Sequence, residues 1–358
     1  MPSLKEIKGR INSISSTLAI TSAMKMVAAA KLQKAQMAIQ NMLPYERRLH
    51  SMLIDLMGAM NISAAASEDG FVRGSGSAER GFDQSGDRLS LSNRHDLAGM
   101  DGAYSLMAQR EVRKVAIVAF ASNSSLCGAF NSNVIREATA VINEYRASGL
   151  GDADITVYSV GRKMAEAMKK LGFPSPADFT KMSDSPSYEA ASALAQELLD
   201  GFVSGRFDKV ELVYNHYKST SSQPTIRQTY LPLSLADATA DIQVGKITDS
   251  ASESDTNRVA EPVGAPVVRQ GSPTTEDLIV EPSKEALIAT LLPKVIRLRI
   301  FTTLLDSAAA EHAARTVAMQ LATDNGNDLL QELTLEYNKG RQQKITSEIL
   351  DLVGGSMQ

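Results

Sequence analysis

From Leu4 onward apolar residues recur three or four positions apart, at Leu4, Ile7, Ile11, Ile14 and Leu18, then at Ala28, Leu32, Ala35 and Ile39. That period places them on one stripe of an α-helix. No glycine stands between Arg10 and Met57, and Pro44 is the single proline there. A helix of about 50 residues, roughly 75 Å at the helical rise, is predicted. A kink or break is expected near Pro44, because its ring removes a backbone donor and crowds the preceding turn. The far end of the chain repeats the pattern from Ser283 through Ile288, Leu291, Val295, Ile300, Leu304 and Ala308, and again at Leu333, Arg341, Ile345, Ile349 and Leu352. Pro282, Ser283 and Lys284 read as a helix start, and Asp324, Asn325 and Gly326 as an internal stop.

Helices this long exceed what a globular core covers, so their stripes must be buried on each other or on partners. Alanine runs at 28–30, 308–310 and 313–314 supply small side chains that let two helices approach closely. An antiparallel pair of the two ends follows, the alternative being two separate helices packed on whatever lies between them.

Between the ends the period changes. Val112 to Phe120 is a β-branched run of buried-strand type, followed by a loop over Ala121 to Phe130 and a helical stretch from Asn131. Ile155 to Val160 reads as a strand, Arg162 to Leu171 and Tyr188 to Phe202 as helices, and Val210 to Tyr217 as a strand, with Thr225 to Leu233 a further strand or the return path. This alternation predicts a three-layer α/β unit with a mostly parallel sheet. Ala64 to Arg110 is rich in Gly, Ser, Asp and Arg, and Ala236 to Glu276 in Thr, Ser, Asp, Pro and Val. Both read as insertions or long loops of low order. The expected division is a helix over 1–60, an insertion over 61–110, an α/β domain over 111–235, a second insertion over 236–276, and a helix over 277–358.

Composition narrows the function classes. Of the 358 residues 43% are hydrophobic, and the formal charge is −4, which lacks the basic excess of a dedicated nucleic-acid binder. Lys5, Lys8, Arg10, Lys25, Lys31 and Lys34 are basic, but Glu6 interrupts the run and no aromatic residue interleaves it. No apolar run approaches the length of a membrane span, and no signal-peptide pattern opens the chain, so a cytosolic protein is expected. A single cysteine, Cys127, excludes an internal disulfide and any zinc site of several thiolates, and the four histidines are scattered. No cofactor or metal is expected. The loop around Cys127 and Gly128 lies between a strand and a helix, where open α/β sheets often bind ligands. It has neither GxGxxG spacing nor a Walker lysine, and reads as structural or as a docking surface.

Several stretches match a known family. Leu4-Lys5-Glu6-Ile7-Lys8-Gly9-Arg10-Ile11 and Ala23-Met24-Lys25-Met26-Val27-Ala28-Ala29-Ala30-Lys31-Leu32 resemble the N-terminal helix of ATP synthase gamma subunits nearly residue for residue. Ser125-Leu126-Cys127-Gly128-Ala129-Phe130-Asn131 is similar to the family's loop after the first strand, with Asn123-Ser124 in place of its usual Asp-Arg pair. Ala313 to Met319, Ala322 to Gly326, Tyr337 to Gln342 and Ile345 to Ile349 are similar to its C-terminal signature. The resemblance implies an antiparallel coiled coil of the two termini with a Rossmann-like α/β domain at its base, and a C-terminal helix that runs through Asp324 to Gly326 against the local stop signal. Cys127 lacks the partner that thiol-controlled relatives carry, so no thiol switch is expected.

What the resemblance implies about function is mechanical. A single copy of the chain would be the non-catalytic rotor shaft of the F1 part of a proton-translocating ATP synthase, inside a ring of alpha and catalytic beta subunits. It would dock on the epsilon subunit and the membrane c-ring, at the cytoplasmic face of the bacterial inner membrane. The implied partner contacts are Met24, facing an acidic lever loop, together with Lys25, Arg315, Arg341, Gln342, Thr346 and Glu348. Read from the residues alone, Met24 is core filler and the others are polar residues on a solvated helix face. Two further readings stay open at this point: a non-rotary coiled-coil scaffold with an α/β recognition module, and an α/β enzyme whose helical ends form an oligomer.

Overall fold

A computed structural model describes residues 3–59, 106–107, 109–233, 281 and 283–356. The second expected insertion, and all but the last few residues of the first, lie outside these. Two helices dominate. α1 spans Leu4–Ala59 and α6 spans Lys284–Ser356, 56 and 73 residues respectively. At 1.5 Å per residue they are about 84 and about 110 Å long.

The two lie antiparallel, since the partners of α6 run backwards along α1. Gly340 faces Leu4 and Gly326 faces Leu18, the Thr323 and Thr21 hydroxyls meet at 3.1 Å, Leu32 packs on Ala309 and Ala313, and the Thr302 hydroxyl donates to the Glu46 carboxylate at 3.1 Å. Two expectations from local signals are corrected. α1 does not end at Pro44, which sits inside it. Pro44 and Gln40 one turn before are both exposed, so the carbonyl that loses its partner faces water, and the buried anchors on either side, Leu32 and Leu49, keep the axis together. Nor does α6 stop at Asn325-Gly326. A Cβ on Gly326 would stand 2.6 Å from Leu18 Cδ2, so this glycine marks a close approach of the two helices.

The middle of the chain folds as β1 (Val115–Phe120), α2 (Phe130–Ala147), β2 (Ile155–Val160), α3 (Arg162–Lys170), α4 (Thr180–Asp184), α5 (Tyr188–Val203), β3 (Lys209–Asn215) and β4 (Thr225–Leu231). The strand order is β2-β1-β3-β4. β1 runs parallel to β2, Val115 opposite Ile155, and to β3, Val115 opposite Lys209. β4 returns antiparallel along β3. α4 had no counterpart in the periodicity, being too short to show one.

All of β1 is buried, and its alternate side chains enter two cores. Val115, Ile117 and Ala119 pack with Val134, Ala138, Val141 and Ile142 of α2 and with Met164 and Met168 of α3. Ala116, Val118 and Phe120 pack with Leu194, Leu198 and Phe202 of α5, and in the same core lie Ile296, Ile300 and Leu304 of α6 and Leu49, Leu53 and Leu56 of α1. The third layer is therefore built partly from the base of the coiled coil. Rod and sheet share one core.

Candidate functional site

Because Leu4 lies opposite Gly340, the last sixteen residues of α6 run on beyond the start of α1, for about 24 Å. Residues 341–350 are all exposed. Among them Ile345 is 47% and Ile349 54% exposed, four residues apart on one helix face. An apolar stripe left in water on a single helix is the mark of a surface meant to be covered. Arg341, Gln342, Thr346 and Glu348 project from this end. The Thr346 hydroxyl donates to the carbonyl of Gln342 at 2.9 Å, and Glu348 lies 3.8 Å from Lys344 in an open ion pair of little energetic weight. Both leave the outer side of the helix available to a neighbour.

Farther down, α1 exposes a second apolar stripe at Ile20, Met24 and Val27. Met24, which spacing alone reads as core filler, is 40% exposed. Lys25 beside it is half-buried. The coil surface is thus apolar and uneven at two levels, the free end of α6 and the outer side of α1.

Arg315 is placed differently. Its side chain is largely enclosed by its own chain, with the guanidinium 2.8 Å from Glu311 and donating to Ser124 Oγ at 2.7 Å. It straps α6 to the loop that follows β1. Within that loop Ser122 N–H donates to Asn131 Oδ1 at 3.0 Å, and Asn131 Nδ2 approaches Cys127 Sγ at 3.2 Å. Leu126 takes a φ of 70° and remains 57% exposed, while Cys127 is sealed against Phe130 and Ala310. Asn123 fixes the loop from the other side, accepting from Arg162 N–H at 2.8 Å and donating to the Thr180 carbonyl at 2.7 Å. Asn123 thus supplies both a donor and an acceptor, which an ionised aspartate could not.

Burial shapes the charges under the strap. It pushes the Glu311 carboxyl up, an effect Arg315 only partly offsets. It pushes the His312 imidazole down to about 4, with Arg315 and Lys31 adding to the fall. His312 is therefore neutral at pH 7. Among the described residues no cluster of three or more His, Cys, Asp or Glu is arranged to hold a metal. A shallow cavity of about 320 Å³ lies between α4 and α5, lined by Phe179, Lys181, Leu194 and Glu197 among others.

Comparison with known proteins decides the family. A model of the ATP synthase family described as "ATP synthase" matches residues 3–357. An ATP synthase gamma chain of Phocaeicola vulgatus is 47% identical over 357 residues, covering 100% of both chains. The chain belongs to the ATP synthase gamma-chain family. A more distant member from Flavobacterium johnsoniae is 35% identical, covering 99% of this chain and 98% of its own. Among solved structures, a chain from the mitochondrial ATP synthase of Euglena gracilis, described as OSCP/F1/c-ring in rotational state 3, is similar in fold at a TM-score of 0.52 and 18% identity, over 99% of this chain and 93% of that one.

Proposed function

We propose that the chain is the central shaft of the F1 part of a proton-translocating ATP synthase, present in one copy and turning inside a ring of alpha and beta subunits. The observation that carries this reading is the apolar stripe left exposed on the far end of α6, beyond the end of α1 and remote from the sheet domain. A rod with one bare, asymmetric tip presents a different face to each site of a surrounding ring, and its rotation shifts which site binds, makes or releases nucleotide. The Euglena neighbour's description, with its F1 and c-ring, supports the same surroundings for this chain. Arg341, Gln342, Thr346 and Glu348 would engage the ring near the tip, through directional bonds made in one rotary position and released in the next. Met24 and Lys25 would meet it lower down, and Arg315 would contribute through the loop it holds in place.

In this reading the chain is non-catalytic, and nucleotide chemistry belongs to the beta subunits. The sheet domain (111–235) and the base of the coil would dock on the epsilon subunit and the c-ring, with 61–110 and 236–276 as insertions in the sequence. A peripheral position at the cytoplasmic face of the bacterial inner membrane follows. Among the described residues no helix is long and apolar enough to cross a membrane. Deleting 341–356 tests the role of the tip. The complex should assemble, with proton pumping per ATP hydrolysed in membrane vesicles reduced; full coupling in the shortened protein would refute the assignment.

A further inference from the structure

The hairpin that joins β3 to β4 leans off the sheet and rests on the coil. It is closed by its own backbone: His216 N–H donates to the Pro224 carbonyl at 2.9 Å, and Ser219 and Ser222 exchange bonds at 3.1 and 3.2 Å. Asp306 of α6 receives it with both carboxylate oxygens. Oδ1 accepts the Tyr217 backbone N–H at 2.9 Å, and Oδ2 lies 2.6 Å from His216 Nδ1. The Tyr217 ring then packs on the cluster of Leu32 of α1 with Ala309 and Ala313 of α6, while its hydroxyl accepts from Gln36 Nε2 at 2.7 Å. One hairpin thus grips both helices at one level, above the shared core.

The geometry points to His216 and Tyr217 as positioning residues that clamp the sheet domain to both helices of the shaft through Asp306, with a grip that is tightest when His216 carries a proton. An imidazolium donating to a carboxylate at this distance makes a charge-assisted bond, about twice as strong as the neutral one. Tyr217 shares the same carboxylate, so weakening one bond loosens the other. The charged groups facing the imidazole are Asp306 from α6 and Lys218 of its own hairpin. From α1 the hairpin meets Gln36 and apolar side chains, which carry no charge. The hydrogen bond to Asp306 holds the His216 pKa above its ordinary 6.5, against burial and Lys218. The stabilisation is then complete below that value and is lost as pH climbs through the raised one. Stiffness between sheet and coil follows the pH of the surrounding solution.

The Tyr217 amide reports the clamp directly. Hydrogen exchange is measured in the assembled complex between pH 6 and pH 8.5, with intrinsic rates corrected at each pH. In the parent protein its protection should fall across this range by roughly tenfold, the scale of one charge-assisted hydrogen bond. His216→Lys, a permanent cation, should hold high protection throughout, and His216→Gln should be low and flat. The same pH profile in all three proteins, or a protected amide in His216→Gln at every pH, would overturn the proposal.

Discussion

At the scale of single residues, what matters is which side chains the coil leaves outside. Met24 is exposed on α1, and in the proposed contact with the ring a flexible, uncharged chain would slide past carboxylates, whereas a lysine would form an ion pair that must break at each turn. Met24→Lys should assemble normally but lower proton pumping per ATP hydrolysed, and unchanged coupling in vesicles would speak against this contact. His312 gives a second expectation. Its pKa is depressed to about 4 in the folded chain, so the unfolded chain binds more protons below about pH 6.5, and stability is lost as pH falls from there toward 4. Thermal melts of His312→Asn should show a shallower acid slope than the parent, and identical slopes would contradict the burial argument. Residue-level placement was only partly legible. The tip residues follow from the resemblance and are exposed in the structure, but nothing in the sequence separates Arg315, strapped to Glu311 and Ser124, from arginines in solvent. Nor does it bring His216 to Asp306, ninety residues away, because that pairing exists only once rod and sheet share a core.

At the scale of elements, strand and helix types were legible wherever periodicity was long. Ile155 to Val160 matches β2, and Tyr188 to Phe202 falls one residue short of α5. Local breakers misled. Pro44 and Asn325-Gly326 signal ends, yet packing over dozens of residues outweighs a cost of about 3 kcal/mol at a proline or about 1 kcal/mol at a glycine. Gly326 is there for the neighbouring helix. Gly326→Val should press on Leu18 and destabilise the full chain by about 1–3 kcal/mol, measured as a lower urea midpoint that Leu18→Ala partly restores. No change in midpoint would mean that the helices do not approach there. On the sheet, Glu211 is buried on β3 with Lys209 at 2.7 Å and Arg227 Nε at 2.7 Å, and Tyr145 donates to it at 2.7 Å. Burial alone would raise its pKa, but these hydrogen bonds bring it below 4.5. The stability it adds is present above that value and lost as pH falls below it. Glu211→Gln leaves Lys209 without its anion and Arg227 with Glu144 alone, and should cost about 3 kcal/mol in urea unfolding at pH 7; a wild-type midpoint would show the cluster to be energetically idle.

At the scale of the whole molecule, sequence and structure meet in one shape: a coiled coil of both termini, rooted in the core of an α/β domain and ending in a single exposed helix. A self-associating scaffold would bury its apolar stripes on a second copy. A shaft keeps them for a surrounding ring. The two are separated by fixing the ring of the purified complex to a surface, attaching a bead to the sheet domain of this chain, and following the bead as ATP is added. The chain should be present once per complex and turn continuously in one direction, pausing at angles set by the ring. A bead that stays still while ATP is hydrolysed, or a complex holding several copies of the chain, would contradict a rotating shaft.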